Sequence, residues 1–248
     1  ISHHIGHQTL TLLGIRWHID RPDELLPDHS YLVIANHQSM ADIPVLMRAL
    51  HGQVPFLRFF IKAQLRRVPV FGFAWRVADC PFMHRYDKAY LEKNPQAKGQ
   101  DLVATIESCR RLRDRPAALM NFIEGTRFTT IKHSQQASPF EHLLKPKAGG
   151  IALAIRGMEG QLQTLLDVSI YYGEQRHELW DYLAGRIDQI DIRVRAMAIP
   201  AEFHNGDYQN DAVFREQFQQ WLNQRWLEKD QVLTELKQAR LTRDSASY

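Results

Sequence analysis

The chain has 248 residues, 44% hydrophobic and 24% charged, length and apolar content enough for one large domain or two small ones with a sizeable core. Its two cysteines, Cys80 and Cys109, form no CxxC pair, which excludes a zinc ribbon, a dithiol redox motif and, at this size, a disulfide framework. The net charge is only +3, but residues 51–115 hold thirteen Lys/Arg against six Asp/Glu, whereas residues 201–248 hold six against eight; a basic, aromatic-rich stretch beside a neutral remainder points to an anionic partner such as phospholipid, nucleotide or nucleic acid.

The start carries His3, His4 and His7. Without a glutamate in the HExxH position or a third ligand they read as a solvated end. Ile15 to Ile19 reads as a short strand, and the turn-rich "DRPDELLPDHS" follows. Tyr31 to Ala35 is a continuous apolar run of strand length, which predicts a buried strand. "IPVLMRAL" (43–50) predicts a helix with Pro44 in its first turn. Val54 to Lys62 reads as one strand, Asp101 to Arg113 as a helix, and Ala117 to Ile123 as a strand ending at Glu124-Gly125-Thr126-Arg127. "LLDVSIYY" (165–172) is a further strand. "IDIRVRAMAI" (190–199) alternates strictly, which predicts a half-buried strand with Ile190, Ile192, Val194, Ala196 and Ala198 on one face. From Asn210 to about Gln238 runs an amphipathic helix whose stripe of Phe214, Phe218, Trp221, Leu222 and Trp226 is expected to pack against the body. Alternation of strands and helices gives an α/β class with a mostly parallel central sheet flanked by helices. No domain boundary is evident. No apolar run reaches eighteen residues, and no signal peptide is recognisable. The chain begins at Ile1, not methionine, and is read as a piece of a longer protein in which a membrane anchor is expected ahead of it.

The first predicted buried strand runs into a polar patch, Asn36-His37-Gln38-Ser39, with Asp42 five residues after His37. On a continuous helix five residues turn through ~500°, so the two side chains would not share a face. They meet only if His37 lies in the strand-to-helix turn and Asp42 near the helix start. Pro44 supports that turn by disfavouring a helical residue at Ile43. Asp42 would then accept Nδ1–H of His37 and leave Nε2 as a base. Alternatively, Asp42 simply caps the helix and His37 is a satisfied strand-end residue. The position favours chemistry, because sites in open α/β sheets lie at the carboxyl ends of strands.

"FIEGTR" (122–127) also follows an apolar run. Gly125 permits a tight turn, Thr126 offers a hydroxyl, and Arg127 offers a fork suited to phosphate. Alone, it also reads as a turn with a surface ion pair. "CPFMHR" (80–85) places another arginine after a short apolar stretch.

Together these blocks resemble the glycerolipid acyltransferase family, of which 1-acylglycerol-3-phosphate acyltransferase is the central member. "NHQSMAD" has the NHxSxxD form, "FIEGTR" is close to FPEGTR, and "PFMHR" stands between them. The resemblance covers Tyr31 to Tyr172. "LLKPKAGGIALA" and the tryptophan-rich C-terminal helix further resemble a subgroup of bacterial inner-membrane acyltransferases. There are two departures. Ile123 stands where proline is usual, and "LLDVSIYY" lacks the proline of the fourth family block.

The resemblance implies a single glycerol-3-phosphate acyltransferase-like domain, with a core over about residues 10–200 and a helical extension over about 201–248. It implies transfer of a fatty acyl group from acyl-CoA or acyl-carrier protein to the hydroxyl of a lysophospholipid such as 1-acylglycerol-3-phosphate. His37 would be the general base and Asp42 would orient it. Arg85 and Arg127 would bind the acceptor phosphate, while Glu124, Gly125 and Thr126 would shape the acceptor pocket. No metal, cofactor or acyl-enzyme is implied. A location at the cytoplasmic face of a bacterial inner membrane is implied, with membrane phospholipid and lysophospholipid as partners and no nucleic acid. "FLRFFIKAQLRRVPVFGFAWR" (56–76) would then lie at the bilayer interface. Two rivals stay open at this point: a non-catalytic lipid- or nucleic-acid-binding module, and a hydrolase of a lipid ester or thioester using the same residues.

Overall fold

The computed structural model describes residues 14–62, 73, 77–83, 100–175 and 177–245. Its elements in chain order are β1 (Arg16–Asp20), β2 (Tyr31–Ala35), α1 (Asp42–Ala49), β3 (Leu57–Phe59), β4 (Ile61–Lys62), β5 (Phe82–Met83), α2 (Gln100–Arg110), β6 (Ala118–Asn121), α3 (Thr130–Gln136), α4 (Gly149–Gly157), β7 (Thr164–Tyr171), α5 (Leu179–Leu183), β8 (Gln189–Ala198) and α6 (Ala212–Ser245).

Six strands form one sheet in the order β1-β8-β7-β2-β6-β3. All its pairings are parallel except β7 with β8. The fold is therefore the α/β class with a mostly parallel sheet that the alternation of elements predicts, ending in a long C-terminal helix. β2 lies between β7 and β6, and every one of its side chains is buried. The pleat sorts them by parity. Leu32 and Ile34 enter a core with residues of α2, α4 and α6, while Tyr31, Val33 and Ala35 enter another with residues of α1.

The stripe on α6 is packing surface, as its period predicts. Phe214, Phe218, Leu222 and Trp226 are buried in the first core, Trp221 packs against it, and burial continues through Val232, Leu233 and Leu236. Lys229 is buried in the same face. Its ammonium meets Asp167 of β7 at 2.5 Å and donates to the carbonyl of Val168. Burial pushes the Lys229 pKa down, and Asp167 opposes that shift.

Several elements differ from expectation. Val54 to Lys62 is not one strand. Phe60 N–H donates to the carbonyl of Met120 in the main sheet, and Ile61 N–H donates to Pro81, so the chain passes there into a second, two-stranded sheet with β5. β8 is buried on both faces over Gln189–Ile192, with Ile190 and Ile192 in the core shared with α1 and Asp191 covered by Arg240 and Arg243 of α6, while Ala196 and Ala198 are exposed. α1 starts at Asp42, so Ile43 is helical despite preceding proline. Pro44 lies in the first turn, where a missing N–H costs nothing. α3, α4 and α5 have no counterpart in the sequence reading. α3 buries no side chain and is held by its N-cap, Thr129 Oγ1 accepting Lys132 N–H (3.2 Å). α4 is apolar nearly all round and wedged against α2. A Cβ on its Gly157 would stand 2.7 Å from Cys109 Cβ and 2.9 Å from the Ile106 carbonyl oxygen.

Candidate active site

The parallel strands β2 and β6, with β7 beside them, end on one edge of the sheet. His37 lies two residues past β2, in the turn that leads to α1. Its Nδ1 is 2.8 Å from Oδ2 of Asp42. The same oxygen accepts the backbone N–H groups of Gln38 (2.7 Å) and Ser39 (3.0 Å). These bonds fall on residues before the helix, and the N-cap position is Ala41, without a side-chain cap. The helix-cap reading of Asp42 therefore gives way to one in which its carboxylate organises the turn. Because that oxygen only accepts, Nδ1 is the nitrogen that carries a proton towards it, and Nε2 is the ring nitrogen not bound to Asp42. The imidazole stacks on Phe122 at 3.9 Å and 14°, which fixes its plane, and it remains 14% exposed.

Two residues outside the sequence assignment complete this turn. Asn36 bridges to β7, its side-chain amide donating to the Ile170 carbonyl and its oxygen accepting Ile170 N–H, both at 2.9 Å. Tyr172, just past β7, donates its hydroxyl to Oδ1 of Asp42 at 2.7 Å. Burial, reinforced by the Asp42 charge, holds the Tyr172 phenol well above its ordinary pKa, so it stays a donor. Asn36 stood in the quoted "NHQSMAD" block, a usable signal. Tyr172 had none, because it lies 130 residues from its partner.

The loop after β6 stands opposite, joined by Phe128 N–H donating to the His37 carbonyl (2.7 Å). Gly125 has φ of +73°, a conformation that favours glycine, and its N–H closes the turn onto the Phe122 carbonyl (2.9 Å). Glu124 is not a pocket wall. It is fully buried, its Oε1 accepting His37 N–H (2.7 Å) and its Oε2 accepting Leu144 N–H (3.0 Å). Burial pushes this carboxyl up to about 8, against the lowering effect of those two donors. Thr126 Oγ1 accepts from Lys132 Nζ (2.7 Å), which also donates to the Arg127 carbonyl (3.0 Å). Lys132, on α3, was missed together with that helix. Arg127 donates from NH1 to Glu178 Oε2 (3.1 Å) in a half-exposed pair. Such pairs contribute only about 0–1 kcal/mol, so a phosphate could displace Glu178 at little cost. Beside the His37 turn a cleft of about 430 Å³ is lined by Gln38, Phe128, Tyr172, His177, Leu233 and Lys237, among others. Arg85, His3, His4, His7 and most of the basic stretch 56–76 lie outside the described residues.

A histidine–carboxylate pair thus stands at the carboxyl edge of the mostly parallel sheet, facing an arginine-bearing loop. The chain belongs to the Acyltransferase family, which matches it over residues 17–172. It is 27% identical over 233 residues to mouse 1-acyl-sn-glycerol-3-phosphate acyltransferase gamma, covering 87% of this chain and 57% of that protein. It is 25% identical over 242 residues to mouse lysocardiolipin acyltransferase 1, covering 90% of this chain and 58% of that protein. The chain thus spans a little over half the length of these relatives. Its fold is similar to the crystal structure of the 1-acyl-sn-glycerophosphate (LPA) acyltransferase PlsC from Thermotoga maritima, with a TM-score of 0.52 at 18% identity, over 92% of this chain and 77% of that one.

Proposed function

We propose that this chain is an acyltransferase that moves a fatty acyl group from an acyl thioester to the free hydroxyl of a lysophospholipid, with 1-acylglycerol-3-phosphate, giving phosphatidic acid, as the best-fitting acceptor. The observation that carries this reading is the 2.8 Å contact between His37 Nδ1 and Asp42 Oδ2. It leaves Nε2 of a positioned, partly exposed imidazole as the base.

In this mechanism Nε2 takes the proton of the acceptor hydroxyl as its oxygen attacks the thioester carbonyl. The new C–O bond forms, the C–S bond breaks as the tetrahedral intermediate collapses, and the departing thiolate recovers the proton from His37. Asp42 holds the imidazolium during the interval. Arg127, with Lys132 beside it, meets the acceptor phosphate as a charge-assisted donor. Acyl-CoA or acyl-carrier protein supplies the thioester.

The acceptor is a membrane lipid, and we place the reaction at a membrane surface, the cytoplasmic face of a bacterial inner membrane in the subgroup this chain resembles. Among the described residues no helix is long and apolar enough to cross a membrane. The test is acyl transfer by purified protein from oleoyl-CoA to a panel of lysophospholipids, with products analysed with and without acceptor. Acceptor-dependent phospholipid formation supports transfer. Free fatty acid formed at the same rate without acceptor would make the protein a hydrolase instead.

A further inference from the structure

The segment that carries Leu144 is fastened to α6 by five hydrogen bonds, one of them between His142 Nε2 and Thr234 Oγ1 (3.0 Å). Gln219 Nε2 donates to the Pro146 carbonyl (3.3 Å), and Trp226 Nε1 donates to the Leu144 carbonyl (2.8 Å). Asp230 accepts the N–H groups of Glu141 and His142, each at 2.8 Å. At ~100° per residue, positions 219, 226 and 230 fall within ~40° of one another, so a single face of α6 holds the segment. Leu144 N–H in turn reaches Glu124, whose other oxygen holds His37 N–H. A continuous, largely buried chain thus runs from the indole of Trp226 through Leu144 and Glu124 to the backbone of His37.

We infer that α6 is a positioning element for the base and that Trp226 is a positioning residue, acting on His37 through Leu144 and Glu124. The catalytic part of this inference rests on His37 as the general base. Trp226 is fully buried, and its N–H is donor-only, so it must have an acceptor inside the protein. The acceptor it has is the carbonyl of the residue that fixes Glu124. Glu124 sets where the His37 backbone stands, and with it where Nε2 meets the acceptor hydroxyl. A small misplacement of a base lowers the rate of the chemical step without weakening substrate binding. A residue that only filled the core would affect unfolding and leave turnover alone.

Trp226→Phe keeps an aromatic ring and removes the N–H. Well below its unfolding temperature, the variant is expected to lose roughly tenfold in kcat with KM unchanged for donor and acceptor. The ¹H–¹⁵N resonances of the His37 ring should move as well. Combined with Glu124→Gln, the losses should be less than additive, because both changes break one chain. If Trp226→Phe does not fold, Asp230→Ala, at the more exposed end of the same clamp, carries the same test. Variants with a lowered unfolding temperature but wild-type kcat and unmoved His37 resonances would overturn the inference. Should the wild-type protein transfer no acyl group, the activity reading fails, and the resonances alone decide the positioning: moved signals support it and unmoved signals sink it.

Discussion

Tyr172 and His37 hold opposite oxygens of one buried carboxylate. The phenol donates to Oδ1 of Asp42 at 2.7 Å, and the imidazole Nδ1 stands 2.8 Å from Oδ2. The end of β7 and the end of β2 are thereby tied through the first residue of α1. Removing the phenol hydroxyl leaves the buried Oδ1 without that donor. Tyr172→Phe should cost about 1–3 kcal/mol of stability. It should also slow turnover, because Asp42 becomes freer to move. Chemical denaturation and kcat, measured on one preparation, check both effects.

His37→Ala should remove nearly all transfer while leaving the fold in place. General-base assistance contributes ~10²–10⁴-fold, and the side chain sits at the rim of the core. Circular dichroism and the transfer assay together decide this. A folded variant with wild-type turnover rules out the mechanism.

Asp42 has a heavier structural share than His37. Asp42→Ala strips acceptors from the N–H groups of Gln38 and Ser39 and from the Tyr172 hydroxyl at once. We expect it to lose both activity and several degrees of melting temperature, whereas His37→Ala loses activity alone. Equal melting temperatures for the two variants would contradict this network.

Arg127→Ala should chiefly weaken use of a phosphorylated acceptor, and lysine should restore it only in part. Hydrogen bonds to charged groups contribute about 1.5–3 kcal/mol, and the low end applies because Arg127 is 40% exposed. Transfer to 1-acylglycerol-3-phosphate and to monoacylglycerol at matched donor concentration provides the comparison. Equal losses for both acceptors would remove the phosphate role from Arg127.

Glu124 should make stability fall as pH rises. Its ordinary pKa of 4.5 is pushed to about 8 in the folded protein, chiefly by burial. Below about 4.5 both states hold the proton. Between 4.5 and about 8 the folded state keeps it and the unfolded state has released it, so rising pH favours unfolding. Urea denaturation at several pH values across that window should show a steeper decline for the wild type than for Glu124→Gln. Parallel declines would place the shift elsewhere.

Sequence by itself determined the local parts. Five consecutive apolar residues from Tyr31 to Ala35 specify a strand buried on both faces, and the polar residues after it specify a turn that carries His37 at its carboxyl end. The helical period of Phe214, Phe218, Leu222 and Trp226 specifies which face of α6 is buried. The separation of His37 from Asp42 specifies that the two can meet only across a turn, not along one helix face. Each of these depends on neighbours within a few residues, the range over which periodicity and turn chemistry operate. Only the tertiary structure decided that Tyr172 closes over Asp42, that Glu124 points inward to His37 and Leu144, that β8 runs against β7, and that Trp226 holds the Leu144 carbonyl. Those relationships join residues distant along the chain. They arise because buried N–H, O–H and carboxylate groups must find partners wherever packing brings them together, a condition imposed by the assembled core and written in no single segment.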